Sequence, residues 1–195
     1  YFENKEALFR ELVELNRLRL RRAQGLAIDP TAEPLLRIRQ GAEAFGRQCV
    51  VLSTQGKHQG IRPGLPSGYE VFIDGARVST GMDAVEWARR AVDLGAGELV
   101  LNSIDRDGTH SGYDLDLLQL VCDAVRVPVV ASGGAGEPEH ISTMFTQTEA
   151  TAAIVSSMLY SPRLPRNFSV EEMKAHLVEA GVDVRPHQLG LESAA

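Results

Sequence analysis

The chain has 195 residues, 44% hydrophobic and 24% charged, a composition typical of one globular domain and not of a disordered or fibrous protein. A formal net charge of −6 at pH 7 argues against general nucleic-acid binding, because a phosphate backbone requires a basic surface. Apolar runs stay well short of the roughly 20 residues that a membrane-spanning helix needs, and the two cysteines predict neither a disulfide framework nor a metal site. We therefore expect a cytoplasmic protein that contacts neither nucleic acid nor membrane.

Two segments with helical spacing come first along the chain. Leucines recur on one face of residues 4–25, and a second amphipathic helix is predicted over residues 34–46. Because the chain begins at Tyr1, with no methionine, we interpret it as a fragment or as the product of a truncated gene model. We divide it into an N-terminal helical segment, residues 1–30, and a main domain, residues 31–195.

Strand and helix patterns then alternate through the rest of the chain. Apolar runs rich in β-branched residues predict strands buried on both faces, and these cover residues 48–54, 98–104, 127–133 and 150–158. A segment with helical spacing follows each run, which is typical of parallel strands joined by right-handed crossovers. The turn signal Asp74-Gly75 predicts an extra hairpin between the first strand and its helix. The predicted fold class is α/β, with four parallel βα units, half the number in a (β/α)8 barrel.

Polar and glycine-rich sequence follows three of these strands. The sequence DRDGT at 105–109 follows the second strand, SGGAG at 132–136 follows the third, and Ser156 and Ser157 end the fourth. In an α/β barrel the active site lies at the carboxyl ends of the strands, and glycine-rich loops leave backbone N–H groups free to bind an anion. The three segments together predict a phosphate site.

The same residues also have plainer interpretations. Asp105 and Asp107 could be solvated acids paired with Arg106, and SGGAG could be only a tight turn between strand and helix. We expect His110 to be exposed to solvent and not to act as a base. The histidines show no metal-ligand spacing, so no metal is predicted.

Three strings carry a family resemblance beyond generic barrel chemistry. LNSIDRDGTHSGYD, PVVASGGAGEPEH and TAAIVSSMLY closely resemble the C-terminal half of the cyclase subunit of imidazole glycerol phosphate synthase, over about Pro34 to Arg185. The resemblance implies half of a (β/α)8 barrel that takes ammonia from a glutaminase subunit. It also implies ring closure on a substrate with a phosphate at each end, releasing imidazole glycerol phosphate and aminoimidazole carboxamide ribotide, without cofactor or metal.

The resemblance implies phosphate-binding roles for particular residues. Gly108, Gly134 and Ser157 match positions that grip phosphate in the family. Their neighbours Gly133 and Ser156 are further candidate phosphate ligands. In this interpretation the chain holds one of the two phosphates.

Further residues are candidates for proton transfer and for lining the pocket. Asp107 matches a charged residue of the family's active-site loop and is a candidate catalytic residue, while Ser103, Asp105 and Thr109 are predicted to line the substrate pocket. Gln55 stands where the family carries a catalytic aspartate. Because a glutamine has no proton that titrates near neutral pH, we predict severely reduced cyclase chemistry.

Two departures from the family leave alternatives open. The family's first four strands have no counterpart here, so we expect self-association or a complementary half barrel to cover the exposed edges and faces. Residues 1–23 instead resemble the helix that follows the helix-turn-helix of tetracycline-repressor-type regulators. The alternatives are a partial or degenerate cyclase, a non-catalytic phosphate-binding half barrel, and a fragment fused to a regulator helix.

Overall fold

The computed structural model describes residues 34–185. Within this range the helices are α1 (Pro34–Phe45), α2 (Ala84–Leu94), α3 (Leu115–Ala124), α4 (Pro138–Gln147) and α5 (Val170–Glu179). The strands are β1 (Val51–His58), β2 (Tyr69–Ile73), β3 (Val78–Asp83), β4 (Glu98–Ser103), β5 (Val129–Ser132) and β6 (Ala152–Ala153). Short 3-10 turns occur at Arg47–Cys49 and Ser157–Leu159. The helix predicted over residues 4–25 lies outside the described residues.

The strands form a single sheet in the order β3-β2-β1-β4-β5-β6. Strands β1, β4, β5 and β6 run parallel, whereas the β2–β3 hairpin joins the edge of β1 in antiparallel pairing. Helices α2, α3 and α4 connect successive parallel strands. This arrangement confirms the α/β class and the partial (β/α) barrel, and within residues 34–185 the sheet does not close.

Two strands differ in length from their predictions. The run 150–158 was predicted as one strand, but only Ala152–Ala153 pair with β5 before the chain enters the 3-10 turn. Strand β1 continues past residue 54 to His58, because the hairpin extends its pairing through Lys57 opposite Glu70 and His58 opposite Tyr69. Periodicity alone does not report such pairing with a neighbouring strand.

The core lies between one face of the sheet and the helices. Leu99 and Leu101 of β4 and Val129 of β5 are buried on that face, together with apolar residues of the helices. By strand alternation Val51 lies on the opposite face, where it is 53% exposed. The prediction that the parallel strands are buried on both faces is therefore wrong for β1 within the described residues.

Side-chain caps fix where the helices begin. Asp83 precedes α2 and accepts hydrogen bonds from the backbone N–H groups of Val85, at 3.0 Å, and Glu86, at 3.2 Å. Ser169 and Glu172 form a reciprocal capping box at the start of α5. None of the described helices is long and apolar enough to cross a membrane.

Candidate functional site

Three segments meet at the carboxyl ends of the parallel strands. We call them the β4 loop (residues 104–112), the β5 loop (residues 133–137) and the β6 turn (residues 154–160). The backbone N–H of Gly112 donates to the carbonyl of Gly134 at 2.9 Å, and His110 Nε2 lies 2.7 Å from Ser157 Oγ. The segments predicted to form a site are therefore in contact.

Close approach between the β4 and β5 loops depends on glycine. Gly134 has φ +109°, and a Cβ atom there would overlap the carbonyl oxygen of Gly112. Gly133, at φ +88°, would place a Cβ atom 3.0 Å from the carbonyl oxygen of Ser103. A side chain at either position would push the loops apart.

Several backbone donors at this edge lack a protein acceptor. Among the described residues, the N–H groups of Gly108, Gly134, Ala135 and Ser157 donate to no protein atom. Gly108 has φ +73°, and a Cβ built on it would meet no atom within 4 Å, so it faces open space. Free N–H groups on neighbouring loops form anion-binding concavities where they converge.

The acids of the β4 loop are held by hydrogen bonds. Asp105 Oδ2 accepts from the backbone N–H of His58 at 2.7 Å, which ties the loop to the end of β1. Asp107 Oδ2 lies 3.5 Å from Asn102 Nδ2. Thr109 Oγ1 donates to the Arg106 carbonyl at 2.7 Å, so this hydroxyl stabilises the loop turn.

Ser103 lies on the helix-covered face, beneath the predicted pocket. Its side chain is 2% exposed, and its Oγ donates to Asp114 Oδ2 at 2.7 Å. Asp114 Oδ1 accepts from Tyr69 Oη at 3.0 Å and from the Leu117 N–H at 3.2 Å. Burial, with the neighbouring Asp114 carboxylate, raises the pKa of Tyr69 above its usual range. This network anchors β2, β4 and the start of α3 to one another.

Asp114 is not among the site residues predicted from the sequence. Its signal was present, because an aspartate directly before the apolar pattern of α3 is a typical N-cap. Only the structure shows that the same carboxylate also holds Ser103 and Tyr69.

Gln55 lies on the open face of the sheet, opposite Asn102, which in turn pairs with Ser132. These polar residues form a row across β1, β4 and β5, just below the β4 and β5 loops. The Oε1 atom of Gln55 is buried without a hydrogen-bond partner. Gln55, which is predicted to stand at the family's catalytic position, therefore has an unused acceptor beside the candidate site.

The expectation that His110 is exposed to solvent is wrong. It is half-buried, and its ring bonds to Ser157 across two loops. Ser156 Oγ instead lies 2.8 Å from Tyr160 Oη, within the β6 turn. The structure thus brings Ser157 towards the β4 loop, whereas the Ser156 hydroxyl is engaged locally.

One cavity of the described residues borders the β4 loop, and another lies away from all three segments. One of about 300 Å³ lies behind the β4 loop, and its lining includes Arg106, Asp114 and His140. A larger one, about 500 Å³, runs along α2 and touches none of the predicted site residues. No group of three His, Cys, Asp or Glu side chains within residues 34–185 could hold a metal ion.

Comparisons with known proteins match this region of the chain. The histidine biosynthesis protein family matches residues 30–165. The imidazole glycerol phosphate synthase subunit HisF of Desulforapulum autotrophicum is 52% identical over 148 residues, which are 76% of this chain and 56% of that protein. The same subunit of Syntrophobacter fumaroxidans is 48% identical over 148 residues, again 76% and 56%. That of Solidesulfovibrio magneticus is 46% identical over 145 residues, 74% and 54%.

The chain spans about half the length of these curated relatives. Residues 1–23 lie outside the matched range, and the comparisons give no support to their resemblance to tetracycline-repressor-type regulators. The resemblance to the cyclase subunit is confirmed by the HisF relatives. Because the matched range contains all four parallel strands and the three segments that meet at their carboxyl ends, the chain belongs to the histidine biosynthesis protein family.

Proposed function

We propose that the chain supplies the C-terminal half of a cyclase-type barrel and binds one phosphate of a phosphorylated small-molecule substrate. The observation that carries this proposal is the set of free N–H groups at Gly108, Gly134, Ala135 and Ser157, on three segments that touch one another. Such donors suit a phosphate monoester, since they supply hydrogen bonds without burying a positive charge.

The predicted phosphate ligands have distinct parts in this proposal. Gly108 and Gly134 contribute backbone donors, and Ser157 contributes a donor and a hydroxyl. Gly133 permits the close turn that brings Gly134 forward. Ser156, whose hydroxyl bonds to Tyr160, supports the turn.

Asp105 and Asp107 carry charge of the same sign as phosphate, which disfavours binding if they point at the anion. Asp105 is engaged by the His58 N–H at 2.7 Å, which leaves Asp107 as the carboxylate of the β4 loop for proton transfer or for orienting a substrate hydroxyl. Ser103 and Thr109 then hold the loop through their own hydrogen bonds.

Ring closure itself is proposed to be severely reduced. Gln55 offers an amide where a carboxylate would relay a proton, and an amide can bind substrate but cannot act as general acid or base near neutral pH. Gln55 therefore also favours the second candidate function, a phosphate-binding half barrel without turnover. Both functions share the same phosphate site and differ only in chemistry.

The open sheet face supports an association partner. Val51 on this face is 53% exposed, and Ile154, which directly follows β6, is 43% exposed, although both are large and apolar. We propose that a second copy or a complementary half barrel covers this face. The glutaminase subunit implied by the family, a cytoplasmic location and independence from cofactors belong to the same proposal.

Phosphorus NMR tests the proposal with the cyclase substrate and excess ammonium. One of the two phosphate signals should shift on titration, with little or no conversion to imidazole glycerol phosphate. Ser157→Ala should weaken the shift, whereas Ser53→Ala, an exposed serine on β1, should leave it unchanged. Two unperturbed signals would refute the phosphate site, and rapid conversion would refute the role given to Gln55.

A further inference from the structure

His110 connects two of the segments that form the proposed phosphate site. It belongs to the β4 loop, and its Nε2 atom reaches 2.7 Å from Ser157 Oγ in the β6 turn. Its ring is half-buried. The imidazole therefore contacts the Ser157 hydroxyl, which is the side-chain group proposed to bind the phosphate.

The backbone of His110 adopts a conformation that is uncommon for its residue type. Its φ is +59°, in the left-handed region that residues with a side chain rarely occupy. Room for it comes from Gly136, where a Cβ atom would overlap the His110 carbonyl oxygen and lie 2.7 Å from His110 Cβ. Conformations of this kind persist where the surroundings impose them, often at ligand sites.

The chemistry of the contact depends on which atom carries the hydrogen. A serine hydroxyl has one hydrogen to donate and two lone pairs to accept with. If His110 Nε2 carries a hydrogen, it donates to Ser157 Oγ and leaves the serine hydrogen free for an anion oxygen. In the reverse arrangement Ser157 donates to His110, and no hydroxyl hydrogen remains for the anion.

We propose that His110 is a positioning residue for phosphate: it donates from Nε2 to Ser157 Oγ and so directs the Ser157 hydroxyl hydrogen to a bound phosphate. This inference rests on the proposed phosphate site. It adds a residue that the family resemblance did not assign. It also means that the Ser157 hydroxyl can donate to phosphate only in the His110 tautomer that carries a hydrogen on Nε2.

Binding of inorganic phosphate to the full chain tests the inference through matched variants. Asparagine tolerates the left-handed conformation but is too short to reach Ser157, so His110→Asn should weaken binding by roughly 3- to 10-fold. Glutamine offers an amide donor near the position of Nε2, so His110→Gln should recover part of the loss. In a Ser157→Ala background, His110→Asn should have no further effect, because the two residues act as one unit.

The outcomes separate this inference from the proposed function. If the unmodified chain shows no saturable phosphate binding, both the inference and the proposed function are wrong. Unmodified chain that binds while His110→Asn binds equally well overturns the inference alone, as do losses that simply add in the double variant.

A measurement on the unmodified chain avoids any effect of substitution on folding. Long-range proton–nitrogen NMR distinguishes the tautomers of a histidine ring. In the presence of saturating inorganic phosphate, Nε2 of His110 should carry a hydrogen. A phosphate-bound state in which Nε2 is unprotonated contradicts the inference.

Discussion

Replacing Asp114 with alanine should destabilise the chain more than any other single substitution by alanine near the carboxyl ends of the parallel strands. The carboxylate accepts hydrogen bonds from Ser103 Oγ at 2.7 Å, Tyr69 Oη at 3.0 Å and the Leu117 N–H at 3.2 Å. Without it, Ser103 and Tyr69 keep buried hydroxyl groups that have lost this acceptor, and α3 loses its N-cap. Each unsatisfied buried group costs about 1–3 kcal/mol, and a lost cap costs about 1 kcal/mol.

These contributions share one carboxylate and are not additive, so we expect Asp114→Ala to lower the free energy of unfolding by about 3–5 kcal/mol. Urea denaturation followed by circular dichroism measures the change. Asp116 provides a matched control, because it is an exposed aspartate in the first turn of the same helix. Asp116→Ala should cost less than about 1 kcal/mol.

The comparison also tests how the site is built. If Asp114→Ala destabilises the chain no more than Asp116→Ala, the network does not hold β2, β4 and α3 together. The interpretation of Ser103 as a support for the β4 loop would then be wrong.

Further predictions concern the anion cradle, the pH response and the unused acceptor. Gly108→Ala should weaken phosphate binding roughly tenfold by calorimetry, because a methyl group would enter the open space proposed for the anion and because a left-handed backbone costs alanine about 1–2 kcal/mol. Gly181→Ala, at another left-handed glycine facing open space, should leave binding unchanged, and equal affinities of the two variants would contradict the phosphate site. Burial raises the pKa of Tyr69 and of Tyr113, so the folded chain holds their phenol protons more tightly than the unfolded chain does. The free energy of unfolding should therefore fall as the pH rises above about 10. An unfolding free energy that does not change with pH in this range would contradict the prediction. Gln55→Met should raise the free energy of unfolding, measured by urea titration, by about 1 kcal/mol, because it removes a buried acceptor that has no hydrogen-bond partner. A lower free energy of unfolding in this variant would refute that explanation.

The order of elements could be predicted from sequence because strand and helix periodicities differ. The runs that became β4 and β5, and the helices after them, carry patterns strong enough to identify locally. The prediction of one strand over residues 150–158 failed because apolar residues continue beyond the two that pair with β5. Where pairing stops depends on the neighbouring strand, which a local pattern does not contain.

That the three polar segments lie together could be predicted, but the contacts between them could not. Glycines after a strand indicate a loop with free N–H groups, and the structure brings Gly134 and Ser157 onto touching segments. The contact of His110 could not be predicted, because a positive φ at a histidine has no sequence signal. The inward direction of Ser103 follows from strand register, which depends on the pairing of Gly56 with Ser103.

The β4 loop, the β5 loop and the β6 turn are proposed to bind a phosphate group together. Backbone amide NMR of the isotope-labelled chain during titration with inorganic phosphate tests this claim. The amide signals of Gly108, Gly134, Ala135 and Ser157 should shift together along one saturable curve, because their N–H groups lack protein acceptors among the described residues. Shifts confined to α2 and its cavity, or no saturable shift anywhere, would contradict the claim.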